Sequence, residues 1–305
     1  MASGETGAQA VGAPSGASSF VKHLRPHPPK PPKEQHSKSG RNLPAAIITG
    51  LSLLALVGLS LAFRKELFGL MVIVFLAIGI WEATGAFLAR NIRIPLIPLV
   101  GAMVVMCAFT WTHGLGFSFV MFTASIAVVM LWRVLMDSNR AITDGIAAAF
   151  VLGWLAFSGC FAIAILAMPE GVLGIVALVL LPVASDTGGF QMGVMFGKHP
   201  IAASISPKKS WEGFLGSLIL SLVASFLVVG FLMDLGRWWA LLFGVVTPIL
   251  ATMGDFSESL LKRDLGIKDM GSIFPGHGGM LDRLDSILFV APTFYLFFAL
   301  AYDLL

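Results

Sequence analysis

The segment Lys262–Asp285, KRDLGIKDMGSIFPGHGGMLDRLD, concentrates acids, bases, glycines and a histidine into 24 residues. Just upstream, Asp255, Ser259 and Lys262/Arg263 recur at helical steps that place them on one face. A carboxylate at the base of such a face, with cations above it, suits a metal ion beneath a polyphosphate. Downstream, Pro275, Gly276, Gly278 and Gly279 let the backbone approach a ligand closely and turn its N–H groups outward. A helix expected from about Met280 offers its N-terminus to anions. On it Asp282 and Asp285 stand three residues apart, able to point the same way, with Arg283 between them. Singly, each feature has a plainer explanation. The glycines make a tight connection, the bases mark topology, the aspartates cap a helix, and His277 is a loop histidine. Their combination between Asp255 and Asp285 describes a site for phosphate and a divalent cation.

A second polar segment, SDTGGFQMGVMFGKHP, is followed by SISPKKSWEG. Asp186 closes an apolar run, where an acidic side chain is costly and therefore points to function. Ser206, Lys208, Lys209 and Ser210 offer donors and charge to a phosphate, and Trp211 suits a headgroup interface.

Both segments need a scaffold, and the composition says which kind. The chain has 305 residues, 57% hydrophobic and 12% charged, about half the ~25% charged content of soluble domains. Apolar runs of roughly 20 residues match a bilayer core crossed as helix. Nine spans are predicted, at about 43–63, 67–89, 94–112, 115–132, 144–168, 171–187, 213–235, 238–254 and 284–302. The fold class expected is all-α, a polytopic integral membrane protein with about nine transmembrane helices. Residues 1–42, rich in Gly, Ser, Pro, His and Lys, bury too little apolar surface to fold and are expected to form a disordered basic tail. They do not read as a secretory signal, because the apolar run begins only at Leu43 and is too long. The chain thus divides into a tail, 1–42, and a transmembrane catalytic domain, 43–305, with motif loops at 186–213 and 255–285. Cys107 and Cys160 fall inside apolar runs and read as buried small hydrophobes. A net charge of +3 is too small to suggest nucleic acid as a partner.

With a cytoplasmic N-terminus, 17 of the 20 lysines and arginines fall on the cytoplasmic side; Arg64, Lys65 and Arg237 lie opposite. Both motif loops then share the face where nucleotides are found, and the C-terminus lies outside. Compact size and a single-sided tail suit the plasma (inner) membrane of a bacterium. Glu82, in IWEATG, is the mid-span acid that stands out, facing either the site or a neighbouring helix.

The stretch SLLKRDLGIKDMGSIFPGHGGMLDRLD resembles the signature of the phosphatidate cytidylyltransferases (CDP-diacylglycerol synthases). Ser259, Lys262, Arg263, Lys268, Asp269, His277, Gly278, Gly279, Asp282, Arg283 and Asp285 stand in the matching places. The earlier segment resembles that family's other motif, with Gly189-Phe190 where members commonly have Ala-Tyr. The resemblance covers about residues 180–290. It implies synthesis of CDP-diacylglycerol from CTP and phosphatidic acid with release of pyrophosphate, dependence on Mg²⁺ alone or with a second cation, and a homodimer among membrane lipids. By similarity the metal carboxylates are Asp255 and Asp282, with Asp285 and Asp186 nearby.

The residue chemistry agrees. A phosphate monoester is already anionic near neutral pH and needs no strong base, so metal ions and fixed cations carry the burden. Lys262, Arg263, Lys268 and Arg283 are assigned to phosphates, and Lys208 and Lys209 to either CTP or the lipid headgroup. Ser206, Ser259, Asp269, His277, Gly278, Gly279 and Asp186 complete the substrate-binding set. Two rivals stand beside this reading. A CTP-dependent lipid or polyprenol kinase has a neutral hydroxyl acceptor and needs a general base. A secondary transporter would bury ionisable groups near the midplane and show internal repeats; no repeat is visible.

Overall fold

The computed structural model describes residues 26–29, 43–136, 140–202, 206–271, 273 and 278–304, without the side chains of 43–49, 207 and 208. Nine helices form among the described residues. They are α1 (Leu43–Phe63), α2 (Lys65–Leu88), α3 (Leu96–His113), α4 (Leu115–Met136), α5 (Ala141–Ala167), α6 (Gly171–Phe196), α7 (Trp211–Leu232), α8 (Arg237–Leu265) and α9 (Leu281–Ala301). Helices α2–α9 are each long and apolar enough to cross a membrane, and Gly50–Phe63 of α1 is a shorter apolar helix.

Two helices run further than the apolar runs predicted. Hydrophobicity falls at 187 and 254, yet α6 continues to Phe196 and α8 to Leu265. At 1.5 Å per residue a 29-residue helix is about 43 Å long, against a hydrocarbon core of ~30 Å. The polar end of α8, from Asp255 onward, is therefore an extension of the span. The glycines of the DTGG segment belong to helix packing. A Cβ at Gly188 would strike the Gly216 carbonyl, and one at Gly189 would strike the Ser217 hydroxyl. Ser217 Oγ donates to the Ser185 carbonyl at 2.7 Å. Small residues let α6 and α7 close to backbone contact. Beyond α6 the chain forms a hairpin, β1 (Pro200–Ala202) antiparallel to β2 (Ser206–Ser210), in a fold expected to be wholly helical. Ser210 ends β2 and caps α7, accepting the Gly213 N–H at 3.1 Å.

Apolar packing forms two cores. One gathers α2–α5 and takes in Leu265, Met270 and Leu281; the other gathers α5–α9. Phe243 of α8 anchors the second, its ring 4.7 Å from both Phe294 and Phe298 of α9. The α8–connection–α9 unit thus touches both cores, which fixes the polar segment between them. Cys107 and Cys160 are buried and free.

At the ends of α2–α5 a buried ion pair joins Arg133 to Asp144. The other Asp144 oxygen accepts the Arg93 N–H at 2.9 Å. Arg140 donates to the Asn91 carbonyl at 3.3 Å, where Asn91 turns the chain with φ +58. Within the tail, the described residues Pro26–Pro29 lie against α2. The His27 ring meets Trp81 edge-on with centroids 5.9 Å apart. A Cβ on Gly85 would come within 2.7 Å of the His27 carbonyl. The rest of the tail lies outside the described residues.

Candidate active site

The polar ends of α8 and α9 meet along matched faces. Asp255, Glu258 and Lys262 recur on α8, and Asp282, Asp285 and Ser286 on α9, each set at steps of three or four residues or adjacent. Gly254 lets the helices approach, since a Cβ there would lie 3.0 Å from the Asp285 carbonyl and 3.1 Å from Phe289 Cβ. A chain of polar contacts results. Lys209 of β2 pairs with Asp255. The other Asp255 oxygen accepts Ser286 Oγ at 2.9 Å, and Asp285 accepts the Ser286 N–H at 2.7 Å. The Asp285 and Glu258 carboxylates lie within electrostatic reach of each other. Lys262 then bridges Glu258 at 3.0 Å and Asp282 at 2.8 Å. Asp282 ends the chain by accepting the Gly279 N–H at 2.7 Å.

Turn chemistry sets the entry and exit of this unit. α8 stops at Gly266, left-handed at φ +72, with the Ile267 N–H returning to the Lys262 carbonyl at 2.9 Å. Gly278 takes φ +78, and a Cβ on it would meet the Asp282 carboxylate. Here the glycine is required by backbone geometry and by the acid beside it.

The structure therefore joins the two motif segments through Lys209 and Asp255. It brings Lys262, Asp282 and Asp285 into the same chain. Asp186 is exposed on α6, within electrostatic reach of Asp255, Lys209 and Arg283. Ser259 is half-buried on the turn between Asp255 and Lys262, and Ser206 is half-buried at the start of β2. Arg263 turns outward, lining a surface depression of about 650 Å³ with Leu260, Leu261 and Asp264. Lys268, Asp269 and Arg283 are exposed. His277, Gly276, Pro275 and the Lys208 side chain lie outside the described residues.

Glu258 and Ser286 are absent from the motif reading. Glu258 is 3% exposed, and its spacing, three residues after Asp255 and four before Lys262, already marks it as a member of their face. Ser286 carried no comparable signal, because its role depends on α8 lying alongside.

As a donor set, Asp255, Glu258, Asp282 and Asp285 are hard oxygen ligands of the kind Mg²⁺ prefers. Among the described residues no three acids or histidines stand close enough to enclose an ion by themselves. Mg²⁺ at phosphate-handling sites uses one or two carboxylates, with water and substrate phosphates completing the shell. Glu258 Oε1 is buried with no hydrogen-bond partner among the described residues. An acid-rich line with an unsatisfied buried oxygen fits a divalent cation.

Fold and site define a multi-pass membrane enzyme whose polar face suits polyanions and a divalent cation. The chain belongs to the Cytidylyltransferase family, which matches residues 44–301. Similar proteins named phosphatidate cytidylyltransferase include one from Mycobacterium leprae, 35% identical over 267 residues that cover 82% of this chain and 86% of that protein. Another, from Mycobacterium tuberculosis strain H37Rv, is 36% identical over 271 residues, covering 84% and 82%. A third, from Staphylococcus saprophyticus, is 34% identical over 254 residues, covering 82% and 91%.

Proposed function

We propose that the chain transfers the cytidylyl group of CTP to phosphatidic acid, giving CDP-diacylglycerol and pyrophosphate for phospholipid synthesis. The observation that carries this reading is the contact chain from Lys209 to Asp282, which draws both motif segments onto one polar face at the ends of membrane helices. The names of the similar proteins support the same substrates.

In the reaction an anionic phosphate oxygen of the lipid forms a bond to the α-phosphorus of CTP. The bond from that phosphorus to the bridging oxygen breaks, and pyrophosphate leaves with the electron pair. No proton need be removed from the nucleophile. The main barrier is charge: two polyanions meet, and more charge gathers on the leaving group. Lys262, Arg263, Lys268 and Arg283 offset it at the phosphates, while Lys209 and Lys208 serve the nucleotide or the lipid headgroup. Asp255 and Asp282, backed by Glu258 and Asp285, would hold Mg²⁺, which would neutralise phosphate charge; a second cation is compatible with the same acids. Fixed charges on helix ends lose little entropy on binding, and this preorganisation is where the rate gain arises.

The membrane supplies the placement. Acyl chains stay in lipid while the headgroup meets a soluble nucleotide at the helix ends. The lysine and arginine bias supports a cytoplasmic position for those ends. The proposed setting is a bacterial plasma membrane, with residues 43–305 as the catalytic unit, 1–42 as a basic tail and two copies as the assembly.

The test uses purified protein with phosphatidic acid or, in a parallel arm, a diacylglycerol or polyprenol in mixed micelles, and CTP labelled at the α- or the γ-phosphate, with Mg²⁺ or EDTA. The expected result is α-label in lipid and γ-label in pyrophosphate, with Mg²⁺ only. Label from the γ-phosphate in lipid would establish the kinase rival instead. No transfer from a folded preparation would overturn both.

A further inference from the structure

Helix α2 reaches the site from behind through one residue the reaction does not require directly. Glu82 is 2% exposed, and its Oε2 accepts the N–H of Leu281, the first residue of α9, at 3.0 Å. Gly271 and Gly279 lie against the same carboxylate so closely that a Cβ on either would overlap it. The connection from α8 to α9 thus meets the same acid twice, at Gly271 and at Gly279–Leu281. Met270 and Leu281, neighbours of those contacts, are buried in the first core. Asp282 and Glu258 lie within electrostatic reach, and Glu82 Oε1 has no hydrogen-bond partner among the described residues.

A buried carboxylate is a costly way to fill space in a helix bundle, and an apolar side chain of similar length would pack without that cost. What the acid adds is an acceptor for the first N–H of α9 and a flat group against which two glycines can close. Leu281 precedes Asp282, so whatever fixes Leu281 fixes the metal-side carboxylate and the partner of Lys262.

We infer that Glu82 is a positioning residue for cytidylyl transfer: it holds the α8–α9 connection at Gly271 and again at its far end, and it sets the start of α9 and so the placement of Asp282. The inference rests on the reaction proposed above. Its glycines are the complement of the acid, each lacking the Cβ that the carboxylate would displace.

The test compares Glu82→Ala, Glu82→Gln and Gly271→Ala, assaying CTP and phosphatidic acid kinetics together with thermal denaturation in detergent. Misplacing a reacting group by about 1 Å costs roughly 100-fold in rate. Glu82→Ala is therefore expected to lower kcat/KM for CTP by about 100-fold, with KM for phosphatidic acid little changed. Glu82→Gln keeps the acceptor oxygen and shape, and should restore activity to within about tenfold of wild type. Gly271→Ala should impair wild type, yet add nothing on top of Glu82→Ala, where space for the methyl has opened. Full kcat/KM in Glu82→Ala overturns the inference. So does a parallel loss of stability and of activity toward both substrates in the Ala and Gln variants alike, which marks a merely structural acid. An inactive wild type would instead overturn the proposed reaction.

Discussion

Two buried acids near the helix ends, Asp144 and Glu82, sit in contrasting company. Asp144 is fully answered: Arg133 holds one oxygen and the Arg93 N–H the other. Glu82 accepts the Leu281 N–H and presses its carboxylate on two glycines, with Oε1 unpartnered among the described residues. The first arrangement ties α4 and α5 to the α2–α3 connection, pairing the acid with a buried cation. The second lies within electrostatic reach of Glu258 and Asp282, where Lys209 pairs with Asp255 and Lys262 with Glu258 and Asp282. The difference separates scaffold from site. A buried charge neutralised by a cation of the scaffold serves the fold, whereas acids gathered around the site's lysines are placed to meet a divalent cation and its substrate.

Variants sharpen this contrast in decreasing order of effect. Lys262 joins Glu258 to Asp282, so Lys262→Ala should cost about 10²- to 10³-fold in kcat, with a lowered thermal midpoint as well because the buried Glu258 loses its cation. Asp144→Ala should lower stability without the catalytic loss. Leaving Arg133 buried and unpaired costs about 3–5 kcal/mol of stability, read as a lowered denaturation midpoint, while kcat of the folded fraction stays within about twofold. If Asp144→Ala removed catalysis at unchanged stability, the division into scaffold and site would be wrong. The smallest effect is expected at Gly85. The nearest atoms a methyl there would meet all belong to His27, so Gly85→Ala should release Pro26–Pro29 and speed deuterium uptake at the His27 amide without altering kcat. A loss of activity above about tenfold would instead place the tail contact within the site.

The helices and the polar face were legible in the sequence for a plain reason. Bilayer thickness fixes span length, and i, i+3 and i+4 spacing fixes a helix face, so composition and period sufficed for nine helices and for Asp255, Lys262, Asp282 and Asp285. The α6 extension was hidden because Gly188 and Gly189 fall in the segment expected to be a motif loop, whereas they serve contact with Gly216 and Ser217 of α7. The Glu82 clamp was hidden because its partners lie 199 residues away, at Leu281. Periodicity reports the neighbours of a residue along its own helix and is blind to those across the bundle. Glu82 stood out by its cost in an apolar run, and only the fold shows what that cost secures.

The central claim is that β2 and the ends of α8 and α9 form one catalytic unit. A double-mutant cycle on kcat/KM for CTP between Lys209→Ala and Asp282→Asn tests it at the two ends of the contact chain. Residues that act as a unit are strongly non-additive, so the double variant should be no more than about threefold slower than the slower single variant. Losses that simply multiply, or a Lys209→Ala enzyme with full activity, would contradict the account.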